Sequence, residues 1–284
     1  MTLPPEIEPI DYIARWRDII ERRRVQMETA QAHAPRSGDD YWAKRAKQYR
    51  KALHERTDED PFLIRLRSSL TPESSVLDVG AGTGRHTLAL APAVAHITAV
   101  DPSAAMLGLL REDVAAQGIT NVTAVASAWL DAEVPAADVV ICSHVLYPIA
   151  DVAPFIRKLE SAARQRVFVY VRVDPLPTDI GLWSEFYGVA LQAQPTYFDL
   201  AGVLAQLDIA ADVEIVDHVF TWTFADLDEA FVQVRNSLCL PEGDDAAGAK
   251  LRALLKARLV RWPNGRLGPE IGSARSAIVS WRPR

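Results

Sequence analysis

The sequence predicts an α/β fold: a doubly wound, mostly parallel seven-stranded sheet, with a helical extension in front and a helical insertion before the last strand. Three observations lead there. From about residue 73 onward, short β-branched runs alternate with helical patterns, the signature of βαβ units. The run Val139-Val140-Ile141-Cys142 is apolar throughout, as expected of a central strand covered on both faces. Residues 1–70, by contrast, are charge-rich and carry no strand pattern, so they read as a helical cap on the domain 71–284.

In the cap, Ile13, Trp16 and Ile20 mark a first helix that the Arg22-Arg23-Arg24 run continues. Pro35 to Asp40 breaks it, and Trp42, Ala46, Tyr49 and Leu53 then form one stripe of a second helix. The strands follow at 74–80, 95–101, 121–126, 137–143 and 166–172, with helices near 84–91, 103–117 and 151–164. Ser103 is a good N-cap, and Gly118 suits the position just past the helix end. After Pro175 and Pro177 come a short aromatic helix with Trp183, Phe186 and Tyr187, a helix at 197–207, and a long strand at 212–222. A helical insertion at 225–260 precedes the last strand, 273–281.

Composition narrows the function. With 49% hydrophobic and 24% charged residues in 284, the chain has material for a real core, and no apolar run nears the roughly 18 residues of a membrane helix. The start, MTLPPEIEPIDYIARW, has no apolar signal region, and two cysteines, Cys142 and Cys239, build neither a disulfide framework nor a thiolate metal site; a cytoplasmic protein is expected. The histidines show no metal-ligand spacing, so no metal is expected. A net charge of −6 disfavours nucleic acid as a partner. The basic stretch Lys44, Arg45, Lys47, Arg50, Lys51 and Arg56 reads best as the solvated face of the second helix.

The chemistry concentrates in Val76-Leu77-Asp78-Val79-Gly80-Ala81-Gly82-Thr83-Gly84-Arg85, an apolar strand running through three glycines into a helix. Glycine permits positive φ and close backbone approach, and a helix start offers unpaired N–H groups. A dinucleotide fingerprint would need glycine at position 85, where Arg85 stands. The spacing instead resembles the first motif of class I S-adenosylmethionine-dependent methyltransferases, which are Rossmann-like, over roughly residues 40–222 and the last strand.

That resemblance implies S-adenosylmethionine as cofactor, held by Asp78, Gly80, Ala81, Gly82, Thr83 and Gly84, with Asp101 on the ribose. It places Pro102, Ser103 and Met106 beside the adenine and Ser127, Ala128 and Trp129 over it. Ser143, His144 and Tyr147 end the fourth strand, facing the reacting methyl, with His144 and Tyr147 as catalytic candidates. Serine at 127 departs from the acid common in the family, and residues 143–146 lack the Asn/Asp-Pro-Pro-aromatic tetrad of many DNA-base amino-methylating members.

The expected acceptor is a small organic molecule enclosed by lid segments 175–195 and 225–262, with Trp183 and Tyr187 as an aromatic pair; Trp42, Arg45 and Tyr49 either pack or cover the cofactor. A dimer interface is the alternative use of those helices. An RNA or protein acceptor, and a binding protein without catalysis, are the competing functions.

Overall fold

A computed structural model describes residues 10–32, 46, 50, 60–174, 181–219, 223–270 and 273–284. The chain begins with α1 (Tyr12–Ala32) and α2 (Pro61–Arg67), then β1 (Ser75–Val79), α3 (Arg85–Leu90), β2 (His96–Asp101), α4 (Ala104–Ala116), β3 (Val122–Ala126) and β4 (Ala137–Ser143). There follow α5 (Val152–Ser161), β5 (Ala163–Arg172), α6 (Trp183–Tyr187), α7 (Tyr197–Gln206) and β6 (Asp212–Val219). The last part is α8 (Leu227–Ser237), α9 (Asp245–Arg258), β7 (Leu259–Arg261), β8 (Leu267–Pro269) and β9 (Ser273–Trp281). Among the expected features, Pro175, Pro177, Trp42, Arg45, Tyr49 and the basic side chains of 44–56 other than Arg50 lie outside the described residues.

Seven strands form the main sheet in the order β3-β2-β1-β4-β5-β9-β6. The first five run parallel, and β9 is antiparallel to both β5 and β6. This is the doubly wound, mostly parallel, Rossmann-like sheet. The apolar run in β4 is divided by the pleat: Val139 and Ile141 enter the core beneath α2, while Val140 and Cys142 enter the core shared with α1, α5 and α7. Trp16 of α1 is fully buried in that second core, and its indole N–H donates to the Ile149 carbonyl at 2.8 Å. The first helix is therefore packed into the sheet domain, against α7 and α5.

The insertion differs from the expectation of helices alone. It also contains a hairpin, β7–β8, whose turn uses Gly265 at φ 80°. This hairpin belongs to a separate apolar cluster with α6, α8, α9 and Ala30 of α1. In that cluster Trp183 is 2% exposed and stacks on Tyr187 at 4.3 Å, and the Tyr187 hydroxyl donates to the Leu238 carbonyl at 2.6 Å. The aromatic pair expected to face a substrate instead holds the two inserted segments together.

Strand direction places these insertions. Because β6 runs parallel to β5, the exits after Arg172 and Val219 and the entry into β9 share one rim with the carboxyl ends of β1 and β4. The order of strands reverses between β1 and β4, so the crevice outside their carboxyl ends is where a ligand is expected.

Candidate active site

The glycine loop leaves β1 at that crevice. Gly80, Gly82 and Gly84 all have positive φ, at 75°, 56° and 90°. They serve different purposes. A Cβ on Gly80 would meet Val145 at 2.2 Å, and one on Gly84 would meet Leu110 at 2.3 Å, so both are packing glycines. Among the described residues, a Cβ on Gly82 would have only the Met106 methyl nearby, at 3.6 Å.

Asp101 closes the loop onto β2. One carboxylate oxygen accepts from the Gly82 N–H at 2.9 Å and the other from the Ser103 N–H at 2.8 Å. Ser103 in turn caps α4, its hydroxyl accepting from the Met106 N–H at 3.4 Å. Pro102 is exposed and Ala81 buried beside the loop. The side-chain oxygen of Thr83 is buried and has no hydrogen-bond partner. A buried polar group is normally paired, so this hydroxyl is an exception among the described residues.

Asp78 lies beneath the loop, 2% exposed, and accepts from the Thr87 hydroxyl at 2.7 Å. Burial pushes its pKa up, with His86 and the Thr87 hydroxyl pulling the other way. His86 and Arg85 both contact Asp60, at 3.2 and 2.7 Å, so the first turn of α3 is tied to the N-cap residue of α2. Ala46 packs with Met106 and Leu109, and Arg50 pairs with Glu112 and with Asp113. The one described member of the basic stretch is therefore engaged with α4.

After β3, the Ser127 N–H donates to the Asp101 carbonyl at 3.2 Å, and Ala128 is exposed. Trp129 departs from the expectation. Its indole is 5% exposed, donates to the Phe155 carbonyl at 3.3 Å and is capped by the Lys158 ammonium at 4.9 Å, so the ring is part of the α5 core. An exposed Ala128 before it and an apolar α5 behind it direct the indole inward.

At the end of β4, Ser143 is half-buried and pairs with Tyr170, and His144 has φ 58°, a left-handed conformation uncommon outside glycine. The His144 N–H donates to the Tyr170 carbonyl at 2.8 Å, and its ring lies 4.6 Å from that of Tyr170. Tyr147 is 6% exposed; its hydroxyl is 2.9 Å from His144 Nδ1 and accepts from the Arg172 N–H at 2.9 Å. Burial raises the Tyr147 pKa, against the lowering effect of the Arg172 guanidinium. The structure thus brings together the loop, Asp101 and Met106, and separately His144 and Tyr147, on one rim. Arg172, Asp60, His86 and Thr87 were not singled out by sequence; a charged residue closing the apolar strand RVFVYVR was the available signal for Arg172. Among the described residues, no group of His, Cys, Asp or Glu is placed to hold a metal ion, and no helix is long and apolar enough to cross a membrane.

Residues 76–165 match the methyltransferase domain family, and the seven-stranded sheet has the Rossmann-like methyltransferase fold. An uncharacterized protein from Haemophilus influenzae is 31% identical over 147 residues, which cover 51% of this chain and 54% of the relative, so the match spans about half of that protein. Magnesium protoporphyrin IX methyltransferase from Synechocystis PCC 6803, solved with bound S-adenosylhomocysteine, is similar in fold at 14% identity and TM-score 0.51, covering 96% of this chain and all of that one. The YcgJ protein from Bacillus subtilis is likewise similar in fold, at 14% identity and TM-score 0.51 over 78% of this chain and 98% of its own.

Proposed function

We propose that this protein transfers a methyl group from S-adenosylmethionine to a small organic acceptor. The observation that carries the reading is the loop itself: three positive-φ glycines leaving β1, with Asp101 anchored to the Gly82 N–H and, among the described residues, only the Met106 methyl within 4 Å of a Cβ at Gly82. Gly80 to Gly84 would hold the cofactor through backbone, Asp101 would accept from its ribose hydroxyls, and Met106 and Ser127 would border the adenine. When bound, the cofactor supplies a methyl activated by a sulfonium leaving group. The protein's part is alignment of the acceptor and exclusion of water. The rim residues His144, Tyr147 and Arg172 would face the acceptor. A match at 76–165 to the methyltransferase domain family supports this reading, as does the bound S-adenosylhomocysteine in the Synechocystis enzyme.

Calorimetry tests it. Saturable binding of S-adenosylhomocysteine and no heat with NAD are expected. Asp101→Ala should weaken binding roughly ten- to a hundredfold, since hydrogen bonds to a charged group contribute about 1.5–3 kcal/mol. Saturable binding of NAD without binding of S-adenosylhomocysteine would overturn the reading. Binding without turnover on any acceptor would leave a cofactor-binding protein in place of an enzyme.

A further inference from the structure

Helix α1 carries one stripe along nearly its whole length. Ile13, Trp16, Ile20, Met27 and Ala30 recur at spacings of three and four, and Arg23 takes the one remaining position of the repeat. The stripe serves two cores. Ile13, Trp16 and Ile20 pack in the sheet core with α5 and α7, whereas Met27 and Ala30 pack in the cluster of the inserted unit with α6, α8 and α9. Among the described elements, α1 alone contributes side chains to both clusters. From Trp16 to Ala30 the helix runs about 21 Å, at roughly 1.5 Å per residue.

The junction between the two halves is reinforced. Arg23 donates there to the Gln192 carbonyl. Gln26 clamps the same stretch with both ends of its amide, donating to the Ala190 carbonyl at 3.0 Å and accepting from the Gln192 N–H at 2.6 Å. On the outer face Arg24 pairs with Glu21 and with Glu28, both at 2.7 Å, so ion pairs at helical spacing span the turns that join the halves. Residues 21–26 contain neither glycine nor proline, the usual causes of a kink. The first half of α1 is docked on the connection between β4 and α5, which also carries His144 and Tyr147. There the Trp16 indole N–H meets the Ile149 carbonyl at 2.8 Å, and Arg17 pairs with Asp151 at 3.0 Å.

A helix anchored in two cores and continuous between them lets neither core move without carrying the other or breaking. We infer that α1 is a strut joining the inserted unit to the sheet domain: the unit opens only when α1 opens with it, and it is not a lid swinging on its own connections. The place of the inserted unit is thereby tied to the β4–α5 connection, far from it in sequence.

Native-state hydrogen exchange of the full chain in graded urea tests this without any ligand. In the wild type, the slowest amides of α9 and those of residues 20–30 should open in one event, with the same urea dependence. Val25 is 52% exposed and belongs to neither core, so Val25→Pro breaks the helix between the halves without touching their packing. In that variant α9 should exchange at least tenfold faster, in an event separate from that of residues 16–20, while Val25→Ala should behave as the wild type. Opening of wild-type α9 with residues 20–30 still protected would overturn the proposal. So would α9 protection within twofold of the wild type in a folded Val25→Pro variant. Should Val25→Pro not fold, the wild-type exchange pattern decides alone.

Discussion

Two alanine substitutions two positions apart in the loop should rank in opposite order for stability and for ligand affinity. Gly82 and Gly84 are both in left-handed backbone, where an L-residue costs about 1–2 kcal/mol. At Gly82 no described residue adds to that cost, since the nearest described atom to a new Cβ is 3.6 Å away. At Gly84 the Cβ would also be driven to 2.3 Å from Leu110, and overpacking of this kind adds about 1–3 kcal/mol. Gly84→Ala should therefore lose about 2–5 kcal/mol of stability and Gly82→Ala about 1–2 kcal/mol. The order reverses for the ligand. The methyl of Gly82→Ala would stand in the space that the cofactor is proposed to fill and should lower S-adenosylhomocysteine affinity at least tenfold, or about 1.4 kcal/mol. Urea unfolding gives the first quantity and calorimetry on the folded variants the second. Equal destabilisation by the two variants would refute the packing argument. Unchanged affinity in Gly82→Ala would refute the assignment of that space to the cofactor.

The remaining predictions concern regions away from the loop. Trp183→Ala should cost about 3–5 kcal/mol and lower the melting temperature by roughly 6–20 °C, because the indole lies in the core of the inserted unit; a stable variant with impaired turnover would return Trp183 to the substrate side. Asp138 accepts from the Ser75 N–H and hydroxyl, which hold its pKa below the usual 3.8. A depressed carboxylate stabilises the fold above its unfolded value and loses that contribution as pH falls through the folded one. Asp138→Asn should thus reduce stability at neutral pH and flatten the decline below about pH 3.8; an unchanged acid limb, followed by denaturant titration, would contradict this.

Much of this molecule was legible one-dimensionally because its cues are local. Alternating β-branched runs mark strands whose faces the pleat separates, as Val139 and Val140 show, and Ser103 caps α4 where a side-chain oxygen precedes an apolar helical stripe. The loop 78–84 needs glycine at fixed offsets, so backbone geometry is written directly into residue type. What only tertiary structure decided are the contacts between distant segments. An aromatic pair at i and i+4 reads the same whether it faces substrate or core, and only the packing of 181–191 against α8, α9 and Ala30 placed Trp183 inside. The inward turn of Trp129 depended on α5, and the hairpin β7–β8 on the cluster it covers. The assembly of His144, Tyr147 and Arg172 arises because β4 and β5 end side by side, a neighbourhood set by strand order and register that no short stretch of sequence records.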